Sequence, residues 1–138
     1  MSVALLIVTH GNIGKSMHDA AVLVIGSSPL RTAFIPIDEN CQPEQCIRNA
    51  ERKIAELDSG DGVLILTDMY GSTPSNIACA LQHINAEVVA GLNLPMLMRV
   101  LNYPTLSLHQ LTDKAVSGGK EGILVFQAPS TSDASQRN

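Results

Sequence analysis

Two apolar runs constrain this chain more than any other feature: Val3-Ala4-Leu5-Leu6-Ile7-Val8 near the start, and Val63-Leu64-Ile65-Leu66 in the middle. Neither alternates polar with apolar residues, so each predicts a strand buried on both faces, the habit of a parallel sheet covered by helices. Each ends in the same way. The first passes through Thr9 into His10-Gly11, the second through Thr67 into Asp68. In an open parallel sheet the ligand crevice lies outside the carboxyl ends of the strands, so His10 and Asp68 are placed where chemistry is expected.

The segments between them complete an alternating pattern. A helix is expected over 15–25, stopped by Gly26, and a second strand over 32–37, where Pro36 favours an edge. A helix opens at Pro43 and runs to Leu57; after the second apolar run another opens at Pro74, with Thr73 as its N-cap. A fourth strand is expected at Val88–Gly91 and helices at 95–101 and 107–117. The last opens on a Ser107-x-x-Gln110 capping box and ends at Gly118-Gly119. A fifth strand is expected at Ile123–Phe126. The expected architecture is one α/β domain over residues 1–127, an open, mainly parallel doubly wound sheet of flavodoxin-like order, followed by a polar tail over 128–138.

With 138 residues there is room for one full core. The formal charge of −4 excludes the basic stripes used to grip nucleic acid or anionic lipid. No leader or membrane-length apolar run occurs, so a cytoplasmic protein without membrane insertion is expected. Cys41, Cys46 and Cys79 follow no zinc-ligand spacing and are expected as reduced, non-catalytic thiols. His18, His83 and His109 fall on expected helices without metal-ligand spacing; neither a metal nor a cofactor is expected.

If the two apolar strands are neighbours, Asp68 can hold one imidazole nitrogen of His10 and leave the other as a nucleophile. The alternatives are a loop histidine bonded to a carbonyl and an Asp68 that only organises its own turn. Gly11 permits close backbone approach. Gly71, Ser72 and Thr73 precede a helix start, where free N–H groups and hydroxyls suit a phosphoryl group; Ser72 as a turn residue and Thr73 as a cap are the plainer readings. Lys15 is expected to solvate its helix. Gly14-Lys15-Ser16 matches the end of a nucleotide-binding P-loop, but Thr9 stands where that motif requires glycine. A flavin module is a further alternative, disfavoured by only two tyrosines and two phenylalanines and no tryptophan.

The segment Val3 to Gly11, with Leu66-Thr67-Asp68-Met69-Tyr70-Gly71-Ser72-Thr73-Pro74, resembles the mannose-family IIA domain of the bacterial phosphotransferase system. The resemblance implies that His10 accepts a phosphoryl group on Nε2 from the phosphocarrier HPr and passes it to a IIB component, with Asp68 holding Nδ1. It implies near in-line transfer between two imidazoles, which needs neutral His10, so acceptance is expected to fall through the ordinary histidine range near about 6.5. Met69 and Tyr70 are then expected to contact docking proteins, or else to pack under their own loop. The resemblance also implies a homodimer in which the last strand, around Ile123–Phe126, runs antiparallel and is exchanged, and peripheral association with a IIC/IID permease. As the sequence ends after the polar tail, the IIB acceptor is expected on a separate polypeptide, for sugar uptake or regulation. A IIA-like subunit feeding dihydroxyacetone kinase is the narrower alternative.

Overall fold

The computed structural model describes residues 2–82 and 85–129. His83 and nearly all of the tail over 128–138 lie outside the described residues. The element order is β1 (Ala4–His10), α1 (Ile13–Ile25), β2 (Thr32–Ile37), α2 (Pro43–Leu57), β3 (Val63–Thr67), α3 (Thr73–Cys79), β4 (Ala86–Ala90), α4 (Leu94–Leu101) and α5 (Leu108–Glu121). The strands form one parallel sheet in the order β2-β1-β3-β4.

The non-alternating apolar runs have the expected consequence. Leu5 and Ile7 of β1 and Leu64 and Leu66 of β3 face one core, shared with Ala21 of α1, Leu97 of α4 and Leu111 of α5. Ala4, Leu6 and Val8, with Val63 and Ile65, face a second core shared with Ile54 of α2 and Ile77 of α3. The central strands are thus covered on both sides, and β2, carrying Pro36, is an edge as expected. Chain order reverses direction beside β1: β2 pairs on one flank and β3 on the other, so His10 stands at the switch point of the sheet.

Four expectations are corrected. Among the described residues the sheet has four strands rather than five; Ile123–Phe126 pairs with nothing and is exposed at 76–96%. An isolated strand has no ladder to join, and in one chain this segment finds none. Second, α5 does not stop at Gly118-Gly119 but continues to Glu121. Both glycines are buried where α5 crosses α4: a Cβ on Gly118 would lie 2.5 Å from the Arg99 Cβ, and one on Gly119 2.9 Å from the Met96 Cε. They serve close helix packing, which overrides their weak helix propensity. Third, the N-cap of α3 is Ser72, whose Oγ accepts the Ser75 N–H at 3.4 Å, with Thr73 and Pro74 already inside the helix. Fourth, α1 starts at Ile13, two residues early, because the Thr9 Oγ1 reaches forward to accept the Gly14 N–H at 3.0 Å. The Ser107–Gln110 capping box forms as expected. Among the described residues, no helix is long and apolar enough to cross a membrane.

Candidate functional site

The register of the two central strands sets the site. Val8 of β1 lies opposite Thr67 of β3, so the residues that follow, His10 and Asp68, leave the sheet side by side. One carboxylate oxygen, Asp68 Oδ2, receives the imidazole Nδ1 at 2.9 Å and the His10 backbone N–H at 3.1 Å. The other, Oδ1, accepts the Met69 N–H at 3.0 Å. Partial burial pulls the Asp68 carboxyl towards its neutral form; the bonds from the His10 ring and backbone outweigh that pull and hold it below the usual carboxylate range. Asp68 is therefore ionised at neutral pH and can only accept, so in the neutral imidazole the His10 proton sits on Nδ1 and the free lone pair on Nε2. The side chain of His10 is 46% exposed against 13% for Asp68. The orienting carboxylate is largely buried, while the imidazole it holds is presented to the surface.

His10 opens onto a cleft of about 400 Å³. Thr73 and Pro74 of α3 line one part of it, and Ile37, Asp38, Glu39 and Cys41, from the end of β2 and the loop after it, line another. The sequence assigns no site role to the β2–α2 loop, whose Cys41 is expected only as a reduced thiol. That loop carries no motif, but the order β2-β1-β3 dictates that the end of β2 borders His10, and the register pair His10–Ile37 does so.

The remaining residues sort unequally. Thr73 lines the cleft, whereas the Ser72 hydroxyl is engaged in its cap and donates to the Met69 carbonyl at 2.6 Å. The Gly71 N–H donates to the Ser75 Oγ at 3.3 Å, and the Gly11 N–H to the Ile37 carbonyl at 2.8 Å. Both glycines have positive φ, 48° at Gly11 and 81° at Gly71, a region side chains avoid, so they shape the turns that carry His10 and Ser72. Met69 and Tyr70 are exposed at 58% and 81%, beside Asp68, rather than packed under their loop.

The P-loop-like segment is absorbed by packing. A Cβ on Gly14 would lie 2.5 Å from the Ile7 Cγ2, so this glycine seats α1 on β1, and Lys15 pairs with Asp19 at 3.2 Å on the outer face. The cleft also has no phenylalanine or tyrosine among its lining residues to cover a flavin. Among the described residues no cluster of histidine, cysteine and carboxylate side chains is arranged to hold a metal. His18 is buried at the α1–β2 contact, edge-on to Phe34 with its Nε2 3.3 Å from the Ser28 hydroxyl, a structural position.

Comparison with known proteins gives the same assignment. The chain is 30% identical over 132 residues to the PTS system mannose-specific EIIAB component of Escherichia coli (strain K12), covering 93% of this chain and 41% of that protein, so it spans about two-fifths of the relative's length. It is 32% identical over 113 residues to the PTS system sorbose-specific EIIA component of Lacticaseibacillus casei, covering 78% of each. The solved mannose/sorbose specific IIA subunit of the phosphotransferase system from Enterococcus faecalis shares the fold, with a TM-score of 0.82, 20% identity and coverage of 94% of this chain and 98% of that one. The family EIIA-man, described as PTS system fructose IIA component, matches residues 4–116. A parallel sheet with a histidine at its switch point, and a family match over nearly all of that sheet and its helices, make this chain a member of the EIIA-man family, a mannose-family IIA component of the phosphotransferase system.

Proposed function

We propose that the chain is a phosphoryl carrier, with His10 as the residue that is transiently phosphorylated. The observation that supports this reading most directly is the 2.9 Å bond between His10 Nδ1 and Asp68 Oδ2, which in the neutral ring leaves the lone pair on Nε2, in a residue that lines a cleft. In the proposed step Nε2 attacks the phosphorus of phospho-HPr. The new N–P bond forms as the donor histidine's N–P bond breaks, and the donor nitrogen recovers its electron pair. Positive charge develops on the His10 ring during attack, and the Asp68 carboxylate, already ionised, stabilises it without moving. The chain supplies position and electrostatics, and no proton need be transferred.

The reverse geometry serves delivery to a IIB component. The exposed Met69 and Tyr70, next to Asp68, supply apolar contact for both docking proteins, and Thr73 supplies a hydroxyl on the cleft wall. Docking partners of this kind fit a protein that works in the cytoplasm, at the periphery of a sugar permease. The exposed run Ile123–Phe126 and the free flank of β4 support a dimer in which this segment pairs with a second copy.

Incubation with phosphoenolpyruvate, enzyme I and HPr, followed by intact mass measurement, tests the reading. One added phosphoryl group, lost in acid and absent from His10→Ala, is the expected result. No mass gain in a folded chain with active enzyme I and HPr would overturn it.

A further inference from the structure

The β2–α2 loop that walls the His10 cleft carries two thiols in contact. Cys41 ends the loop, its N–H donating to the Asp38 carbonyl at 3.2 Å, while Asn40 N–H is fixed on Asp38 Oδ1 at 2.9 Å. Cys46 lies in the first turn of α2, its N–H donating to the Gln42 carbonyl at 2.9 Å. Both side chains are half-buried, and their Sγ atoms are 2.8 Å apart. A disulfide bond is about 2.05 Å long, so the sulfurs need to approach by less than about 1 Å. Backbone hydrogen bonds on both sides already hold the pair in this arrangement.

Access is provided. A cavity of about 610 Å³ opens over the pair, lined by Cys41, Cys46, Gln45, Asn49, Arg48 and Arg52. Arg48 and Arg52 lie one turn apart on α2 and set two guanidiniums against the single carboxylate of Asp38, which also lines the cavity, an excess of positive charge that suits an anionic small-molecule disulfide such as oxidised glutathione. On the other side Cys41 lines the His10 cleft itself, so the same residue borders both spaces.

We infer that Cys41 and Cys46 form a reversible dithiol–disulfide pair, oxidised by an anionic small-molecule disulfide, whose closure fastens the Asp38–Gln42 wall of the His10 cleft to α2. Cys46 attacks one sulfur of the oxidant, forming a mixed disulfide and expelling the first thiolate. Cys41 then yields its proton and attacks the Cys46 Sγ, closing the internal bond and expelling the second thiolate. The chain loses two protons and two electrons; the oxidant takes up the electrons as its sulfur–sulfur bond breaks, and its two expelled thiolates take up the protons and leave as thiols. Burial, reinforced by the hydrogen bond to Cys46, pushes the Cys41 thiol up to about 11, which fits the resolving role over the attacking one. In reducing compartments such pairs are transient and sensing rather than structural. The inference does not rest on phosphoryl transfer, and its test reads none.

The full chain carrying Cys79→Ser is treated under native conditions with oxidised glutathione, quenched in acid and weighed intact. The expected product has lost two hydrogens, regains them with dithiothreitol, and is replaced in Cys41→Ser by a stable glutathione adduct at Cys46. In amide NMR spectra the oxidised chain is expected to show shifts at residues 38–42 and His10. Stable glutathione adducts without an internal bond, an internal bond formed only in denaturant, or oxidation that leaves 38–42 and His10 unshifted would each overturn the inference. The parent measurement needs neither Cys41 nor Cys46 replaced, so a misfolded variant does not obscure it.

Discussion

Asp68 Oδ2 receives both the backbone N–H and the imidazole Nδ1 of His10, at 3.1 and 2.9 Å, so one oxygen fixes the position of the residue and the tautomer of its ring. Asp68→Asn keeps the size of the side chain and removes the charge that stabilises the imidazolium-like ring. Removing one preorganised electrostatic partner of this kind costs about 100-fold or more in rate. Acceptance of the phosphoryl group by His10 is expected to slow by that order, with circular dichroism unchanged. Quench-flow measurement with phospho-HPr checks it, and an unchanged rate would remove Asp68 from the mechanism.

The same carboxylate has a pH signature in stability. Its folded-state value lies below the ordinary 3.8, because bonds from His10 outweigh the cost of burial. A group with a depressed folded value adds stability above its unfolded value, and that stability is lost as pH falls through the folded one. Urea denaturation between pH 5 and pH 2 is therefore expected to show an acid loss of stability below about 3.8 that is shallower in Asp68→Asn.

How far these features were legible in sequence follows from which forces are local. The buried runs of β1 and β3, the edge character given by Pro36 and the capping box at Ser107 depend on neighbours in the chain, and they stand where expected. His10 and Asp68 followed from the strand ends, but their contact required the strand order. Gly118-Gly119 reads as a stop in sequence because the pressing neighbours, Arg99 and Met96, come from another helix. The β2–α2 wall of the cleft had no local signature at all. Ile123–Phe126 looked like a strand because its residues suit one; a ladder partner is a property of the assembly.

His18 gives a second pH dependence, of opposite origin. Burial disfavours its charged form, and it outweighs the pull of Asp19, so the folded value lies below the ordinary 6.5. Between the two values the unfolded chain binds the extra proton, and stability falls as pH drops below 6.5. Thermal denaturation from pH 8 to pH 5 is expected to show this decline in the parent and a flatter profile in His18→Gln, which keeps a polar group near Ser28. Parallel profiles would show that His18 is not the titrating group.

Gly14 tests the packing account of the P-loop-like segment. Its Cβ would meet Ile7 Cγ2 at 2.5 Å and the Thr9 side chain at 3.0 Å, both in β1. Gly14→Ala would be neutral to stabilising in an exposed helix, since alanine is the better helix former. Here overpacking dominates, and a loss of about 1–3 kcal/mol is expected from chemical denaturation. A stability equal to the parent would mean that α1 can move off β1 at little cost.

The exposed run at the end of the described chain makes the last prediction. Ile123, Leu124, Val125 and Phe126 are exposed at 76, 77, 85 and 96%, a contiguous apolar stretch of the kind that marks an interaction surface. A candidate acceptor is present on the same molecule: β4 pairs only with β3 among the described residues, and Val89 and Ala90 at its end border a groove that Met96, Val116, Lys120 and Ile123 also line, so the run starts beside that strand edge. Pairing this segment with a second copy would cover both the strand edge and the apolar run at once. Sedimentation velocity is expected to give a dimer for the parent chain. Leu124→Asp with Phe126→Asp is expected to give a monomer with unchanged helical circular dichroism, because neither side chain is part of the cores of a single chain. A dimer that survives both substitutions would place the interface elsewhere, and a monomeric parent would remove the exchange altogether.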